Sequence, residues 1–312
     1  MTRVVFLHRP GHANFGGKIM RCDQLAAIAQ RHLGDRYHFE VLAPPPRRFP
    51  VRQRRFAQSL QGAVVILLKN AAASLTPRAL EILRARVRGL CIDHLDVPAS
   101  NETFGLVDVH IAASFRGKEI LEKTLAGHSD LPAGIEIKHL AHHADPRLSP
   151  LARGAERFSI GYFGKPSNTV LASSLATRIL SPDYGRDENF ASVVEGMQRC
   201  PMHYCVRAPA GRPAVAERLA KPFTKGFNAA AVGANVLVNR QVDDAVAYLG
   251  EDYPFLIDDL SEASINEAIE KARELFGGPE WARGLDTMRE VRARTAPAEI
   301  ARQLGDILAL FD

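Results

Sequence analysis

The segment Lys221-Pro222-Phe223-Thr224-Lys225-Gly226-Phe227-Asn228-Ala229-Ala230-Ala231-Val232-Gly233-Ala234-Asn235-Val236-Leu237-Val238 packs a loop, a small-residue helix over Asn228–Val232, a glycine turn and an apolar strand into one short run. Two lysines, Lys221 and Lys225, stand before the helix, where free backbone amides and the positive end of the helix dipole favour an anion. Helix feeding strand across a tight turn is the repeating unit of a parallel sheet, and the sequence predicts the same unit on both sides of this segment.

Toward the N-terminus the predicted strands are Val4–His8, His38–Ala43, Ala63–Lys69, Leu90–His94, Val107–Ala112 and Ile135–Leu140. Helices are predicted between several of them, at Met20–Leu33, after the Thr76-Pro77 start signal and at Gly117–Leu125. Nearly continuous apolar strands imply a parallel sheet covered on both faces. At His142–Pro150 the pattern lapses into a proline-containing linker, then restarts with a strand at Phe158–Phe163, a helix at Asn189–Arg199 and a strand at His203–Arg207. After Ser264 the chain reads as helix, with Ile265, Ala268, Ile269 and Ala272 on one stripe and a last helix over Pro297–Phe311. The expected fold is α/β: two Rossmann-like, doubly wound domains facing a cleft. Their expected ranges are 1–146 and 147–295, with 296–312 a terminal helix that packs back on the first domain.

Composition limits the function classes. In the 312 residues, 46% are hydrophobic and 24% charged, as in ordinary folded proteins. No apolar run approaches the roughly 20 residues of a membrane-spanning helix. The N-terminal residues lack a secretory pattern, so a cytoplasmic protein is expected. Cys22, Cys91, Cys200 and Cys205 form no CxxC pair, which suits reduced thiols. The net charge of +5 divides unevenly, the first 150 residues carrying 21 basic and 13 acidic side chains. Arg47, Arg48, Arg52, Arg54 and Arg55 supply much of that excess around Phe49, Pro50 and Val51. The run reads either as a solvated face or as a patch for an anionic membrane surface. Nucleic acid is not expected, because stacking aromatics are limited to Phe49 and Phe56 and no recognition motif is present.

In open parallel sheets, ligands bind beyond the carboxyl ends of the strands. The loop after the first strand runs from Arg9 to Lys18 and offers His12, Asn14, Gly16 and Gly17 at a helix start; it spells neither GxGxxG nor a Walker loop. The entry strand of the second domain ends in Gly164 and Lys165, and a later strand ends at Arg207, a guanidinium suited to phosphate. Cys91-Ile92-Asp93-His94-Leu95-Asp96 closes another strand with two carboxylates and an imidazole, so Asp93, His94 and Asp96 are the candidate bases, with His12 behind them. His142, His143 and Asp145 invite a metal reading, but no third ligand has zinc spacing, and no metal is expected.

The segment Asn228–Leu237 resembles the donor-binding domain of GT-B glycosyltransferases, where a small-residue helix, a glycine turn and an apolar strand (of the sense E-A-M-A-x-G-x-P-V-I) follow the sugar-nucleotide contacts. Many retaining members place glutamates eight apart around this segment; here Ala220 and Asn228 occupy those positions. The resemblance implies a nucleotide-sugar-dependent transferase in a basic variant. Lys221 and Lys225 would contact the diphosphate, with Thr224, Asn228, Lys165, Gly164 and Arg207 completing the donor side. It implies no cofactor beyond the co-substrate, a saccharide or lipid-linked acceptor on the first domain, and inversion. No Asp-x-Asp triplet is present, so cationic groups rather than a divalent ion would offset the leaving diphosphate. A nucleotide-sugar epimerase and a non-catalytic two-lobed phosphometabolite-binding protein are the alternatives.

Overall fold

A computed structural model describes the chain except residues 12–14, 100–103, 129, 152–155, 172, 183–189 and 209–218. The chain forms two compact units, one of Met1–His143, Arg212–Pro222 and Pro297–Asp312, the other of Ala144–Gly211 and Phe223–Ala296.

The first unit is built on a six-stranded sheet of β1 (Thr2–Leu7), β2 (Tyr37–Leu42), β3 (Val64–Leu68), β4 (Gly89–Asp93), β5 (Val109–Ala112) and β6 (Glu136–His139). All its pairings are parallel and its order is β2-β1-β3-β4-β5-β6. Successive side chains of a strand point to opposite faces, and the strands divide their apolar residues accordingly. Val4, Phe6, Val64, Ile66 and Cys91 belong to one core, Val5, Leu7, Val65, Leu67 and Ile92 to the other. Each fully buried Val, Leu, Ile or Phe contributes about 1.5–3 kcal/mol, so both faces must be covered.

Helix α1 covers the first face. Its consecutive segments are Gly16–Lys18, the π-wound Ile19–Gln24 and Leu25–Leu33. On the other face, α2 (Pro50–Ser59) packs beside α3 (Pro77–Arg86), whose Thr76 hydroxyl accepts from the Ala79 amide as an N-cap. Helix α4 (Phe115–Ala126) follows β5 and is capped by Ser114.

The second unit carries a four-stranded parallel sheet of β7 (Ile160–Gly161), β8 (Met202–Tyr204), β9 (Asn235–Asn239) and β10 (Leu256–Ile257) in the order β10-β9-β8-β7. Leu180 extends it by a parallel bridge to Gly161 on the outer side of β7. Helix α5 (Phe190–Arg199) precedes β8, and α6 (Thr224–Val232) precedes β9. Gly233 turns the chain between α6 and β9 at φ 83°, the left-handed C-cap conformation. Helix α6 begins at Thr224, ahead of the start expected at Asn228, because the buried Phe223 and Phe227 anchor its first turn edge to face. The remaining helices are α7 (Ala245–Leu249), α8 (Glu262–Glu274) and α9 (Pro279–Arg294). Trp281 of α9 is buried among Phe158, Phe255 and Phe276.

The last helix, α10 (Pro297–Leu308), returns to the first unit. There Ile300, Leu304, Ile307 and Leu308 join the core of Val4 and Phe6. Tyr37 Oη donates to Asp312 at 2.9 Å, and the Ala141 amide donates to Gln303 at 2.9 Å. The sequence therefore specifies two Rossmann-like units, each with a place where neighbouring strands lead away in opposite directions. In the first it lies between β1 and β3, in the second between β7 and β8.

Candidate functional site

In the second unit, four predicted residues, Gly164, Lys165, Arg207 and Lys225, gather at the β7/β8 switch point. Tyr162 and Phe163 lead from β7 into Gly164, and the Tyr162 hydroxyl donates to the Lys165 carbonyl at 2.6 Å, which fixes the turn. A Cβ on Gly164 would lie 2.9 Å from Lys225 Cε and 2.8 Å from Tyr162 Oη, so any side chain there would push the end of Lys225 or Tyr162 aside. Lys225 Nζ then stands 5.3 Å above the Tyr162 ring, a cation–π contact.

Beyond β8, the Arg207 amide donates to Asn239 at 3.0 Å and its guanidinium donates to Asp243 at 3.0 Å. Burial pulls the Arg207 guanidinium below its ordinary range, and Asp243 opposes it. Burial pushes the neighbouring Cys205 thiol up to about 12, while Lys225 and Arg207 pull it back. Both cations thus act on one strand end. Lys165 is exposed at the same loop.

The other donor-side predictions fall elsewhere. Thr224 is the first residue of α6. Asn228 is buried and its Oδ1 accepts from the Asp145 amide at 3.0 Å, which ties the linker to α6. Lys221 lies in the first unit and Lys225 in the second, because the division falls after Pro222. His142 and His143, the adjacent histidines of the linker, are buried and hydrogen-bonded to the His143 and Met20 carbonyls respectively.

In the first unit, the strand-end cluster is charged and largely closed. Asp93 Oδ2 accepts from Arg21 Nε at 2.7 Å with both side chains buried, and Oδ1 accepts from the Leu95 amide at 3.1 Å. Arg21 also donates to the Ala141 and Leu140 carbonyls at 2.9 and 3.2 Å, so the ion pair ties α1, β4 and the residues after β6 together. The π winding places Arg21 beside the buried Cys22, with no charge left exposed.

His94 Nε2 meets His110 Nδ1 at 2.8 Å, and His110 Nε2 donates to the Phe104 carbonyl at 3.0 Å. Burial, helped by His110, lowers His94 to about 3, which makes it a neutral imidazole and a weak base at neutral pH. Asp96 is different. Its side chain is 36% exposed and paired with Lys69.

Lys69 and Leu95, at the ends of β3 and β4, adopt φ of 50° and 53°, a conformation side chains seldom take outside functional or tightly constrained positions. Lys69 Nζ also reaches the start of α1, where a Cβ on Gly17 would come within 3.3 Å of it. Gly16 is exposed beside it, while His12 and Asn14 lie outside the described residues.

Sequence reasoning missed Lys69 and Arg21. Arg21 stands four residues before Leu25 on the apolar stripe of α1, a charge at a core position that required a buried partner. Lys69 follows directly on an apolar strand, and only the strand order reveals that it borders the switch point.

The arginine run forms the approach to α2 and its first half. Arg47, Arg48, Arg52, Arg54 and Arg55 are all exposed, and none pairs with a carboxylate among the described residues. Arg48 and Arg52 each lie 5.0 Å from the Phe49 ring centroid. Beneath them, the buried Gln53 donates to the Pro45 and Ser74 carbonyls and accepts from the Thr76 amide, holding the helix against the unit.

Compared by sequence, the chain matches no family model and no curated relative. Compared by structure, it is similar to HepE of Anabaena, solved with UDP, at TM-score 0.63 and 12% identity over 99% of this chain and 100% of that one. Sucrose-phosphate synthase of Thermosynechococcus elongatus aligns at TM-score 0.64 and 12% identity over 99% of each chain. The catalytic domain of starch synthase IV from Arabidopsis thaliana, bound to ADP and acarbose, aligns at TM-score 0.64 and 10% identity over 99% of each chain. The fold is that of the GT-B glycosyltransferases, two Rossmann-like units in one chain.

Proposed function

We propose that the protein is a glycosyltransferase that moves a sugar from a nucleoside-diphosphate sugar to a hydroxyl of a saccharide or lipid-linked saccharide. The observation that carries this reading is the β7/β8 switch point, where Gly164 admits Lys225 beside Arg207. Fixed cations and loop amides there suit a diphosphate, whose charge grows as the sugar leaves. The fold adds support, since neighbours sharing it were solved with UDP and ADP.

The second unit would hold the donor through Gly164, Lys165, Arg207 and Lys225, and the first would hold the acceptor. The acceptor oxygen attacks the anomeric carbon, the bond from that carbon to the diphosphate oxygen breaks, and a carboxylate takes the hydroxyl proton. Asp96 suits that task better than Asp93, whose oxygens are both engaged, or His94, which protonates only near pH 3. Ala220 and Asn228 stand where many retaining relatives of this fold carry glutamates, which favours single displacement with inversion. Charge offset by lysine and arginine would leave the reaction independent of a divalent ion.

Thermal stability with GDP, UDP, ADP and CMP and their sugars, measured with and without magnesium, tests the donor site. One nucleotide at a hundredfold excess over its dissociation constant should stabilise the protein by about 2.7 kcal/mol. Lys225→Ala with Arg207→Ala should lose that stabilisation. If no nucleotide stabilises the wild type, the reading fails. Release of nucleotide that requires an added acceptor separates transfer from epimerisation.

The α2 patch is the proposed contact with an anionic membrane face: exposed guanidinium groups around Phe49, which is 37% exposed, and Val51, which is 50% exposed. Vesicles containing phosphatidylglycerol should retain the protein at low salt and lose it when Arg48, Arg52 and Arg55 are replaced by Ser. Equal retention of the triple variant would refute membrane contact through this patch.

A further inference from the structure

The switch point of the first unit holds its own pocket. It is lined by residues after β1 (His8, Arg9), at the start of α1 (Gly17, Lys18) and after β3 (Lys69, Asn70). Its cavity volume of about 120 Å³ leaves room for a compact polar group. Three cationic residues line this pocket. Lys18 is paired with Asp23 at 2.7 Å and Lys69 with Asp96, whereas Arg9 has no carboxylate partner among the described residues. The two lysine partners are not equivalent to a ligand: Asp96 is partly open to solvent, so an incoming anion competes with it for Lys69.

We propose that this pocket binds the acceptor through an anionic substituent, a phosphomonoester or a carboxylate, held by Arg9 and Lys69. Naming the ligand as the acceptor rests on the transferase reading; the anion specificity rests on the pocket alone. When the anion engages Lys69, the Lys69–Asp96 pair opens and the Asp96 carboxylate is released from its cationic neighbour. The same contact that selects a charged acceptor therefore frees the group that takes the hydroxyl proton. A neutral sugar leaves Asp96 locked.

The geometry gives two substitutions opposite signs. Arg9→Ala, at an exposed side chain, should weaken binding of the charged ligand by about tenfold or more, the loss of one charge-assisted contact. Asp96→Asn should tighten it severalfold, because Lys69 no longer has a competing partner. A merely structural role for Asp96 would weaken binding or leave it unchanged.

Isothermal titration without nucleotide, using glucose 6-phosphate, glucuronate, glucose and inorganic phosphate as probes, tests this. Glucose 6-phosphate or glucuronate should bind while glucose does not, and which of the two binds identifies the phosphate or the carboxylate as the recognised group. Inorganic phosphate binding as tightly as the better sugar acid would overturn acceptor recognition, and weaker binding by Asp96→Asn would overturn the exchange at Lys69. Glucose binding equal to glucose 6-phosphate, or an unchanged Arg9→Ala variant, would overturn the anion site. The nucleotide measurement on Lys225 and Arg207 reports separately on the transferase reading. Nucleotide binding without sugar-acid binding removes only this proposal, and sugar-acid binding without nucleotide binding removes the transferase and with it the acceptor assignment, leaving the anion site.

Discussion

The two switch points solve the problem of charge at a strand end in opposite ways. In the first unit the charges are mostly matched from within, Arg21 with Asp93, Lys69 with Asp96 and Lys18 with Asp23, beside a neutral pair of imidazoles. In the second, Lys225 lies over an aromatic ring, Lys165 is exposed, and Arg207 has a partner in Asp243 that is itself partly open. A site already neutralised gains a ligand by exchange. In the second, the Arg207–Asp243 pair keeps more of its side-chain surface in solvent than the Arg21–Asp93 pair of the first. The difference makes charge at the first switch point part of what holds that unit together.

The largest test of that contrast removes one guanidinium from each unit. Arg21→Ala leaves Asp93 buried without its counter-charge and should destabilise the protein by about 3–5 kcal/mol in denaturant titration. Arg207→Ala should cost less, because its ion pair keeps 18% and 22% side-chain exposure against 0% and 2% for Arg21 and Asp93, while removing nucleotide binding. Equal costs for the two variants would erase the contrast.

Acid provides the next test. Burial holds His94 at about 3 and His203 at about 4 in the folded protein, and it lowers His110 and His142 as well. A lowered folded value means that the unfolded chain binds more protons. Stability is therefore full above about pH 6.5 and falls as the pH drops below it, by up to about 1.4 kcal/mol per pH unit for each histidine. Three of these histidines lie in the first unit and one in the second. Hydrogen exchange between pH 6 and 4 should show the first unit opening more steeply, and His94→Asn should flatten that slope. A profile unchanged by His94→Asn would contradict the buried neutral assignment.

The smallest effect belongs to the surface. Arg54→Ser and Arg55→Ser should change the unfolding free energy by less than about 0.5 kcal/mol, since neither side chain pairs with a carboxylate among the described residues. A larger loss in denaturant titration would mean that the patch helps to hold the unit together.

Much of this architecture was legible in the amino-acid order. Runs such as Val64–Leu68 and Asn235–Asn239, with every residue buried, announce parallel strands covered on both sides. Their order was not legible, because it depends on hydrogen bonds between residues far apart, and the order alone locates the switch points. Helix α2 was hidden by its own charge: its inward stripe is Gln53 and Ala57, a polar residue and a small one. Strand β10 has two residues and leaves no periodic signal. At the candidate sites, Gly164 and Arg207 were legible as a glycine and a cation at strand ends. Lys69 was not, since its strained backbone and its link to Asp96 appear only once β3 and β4 lie side by side.

The return of α10 sets an order of folding during synthesis. Leu304 and Ile307 complete a core begun by Val4 and Phe6, and Arg36 pairs with Asp312 across 276 positions. Domains ordinarily fold in the order in which they leave the ribosome. Here the unit translated first must hold an unfinished apolar face until α10 emerges, while the unit translated later has its strands β7 to β10 before that helix. A ribosome stalled at Ala296 would expose that face, and the nascent chain would need a chaperone until α10 has emerged.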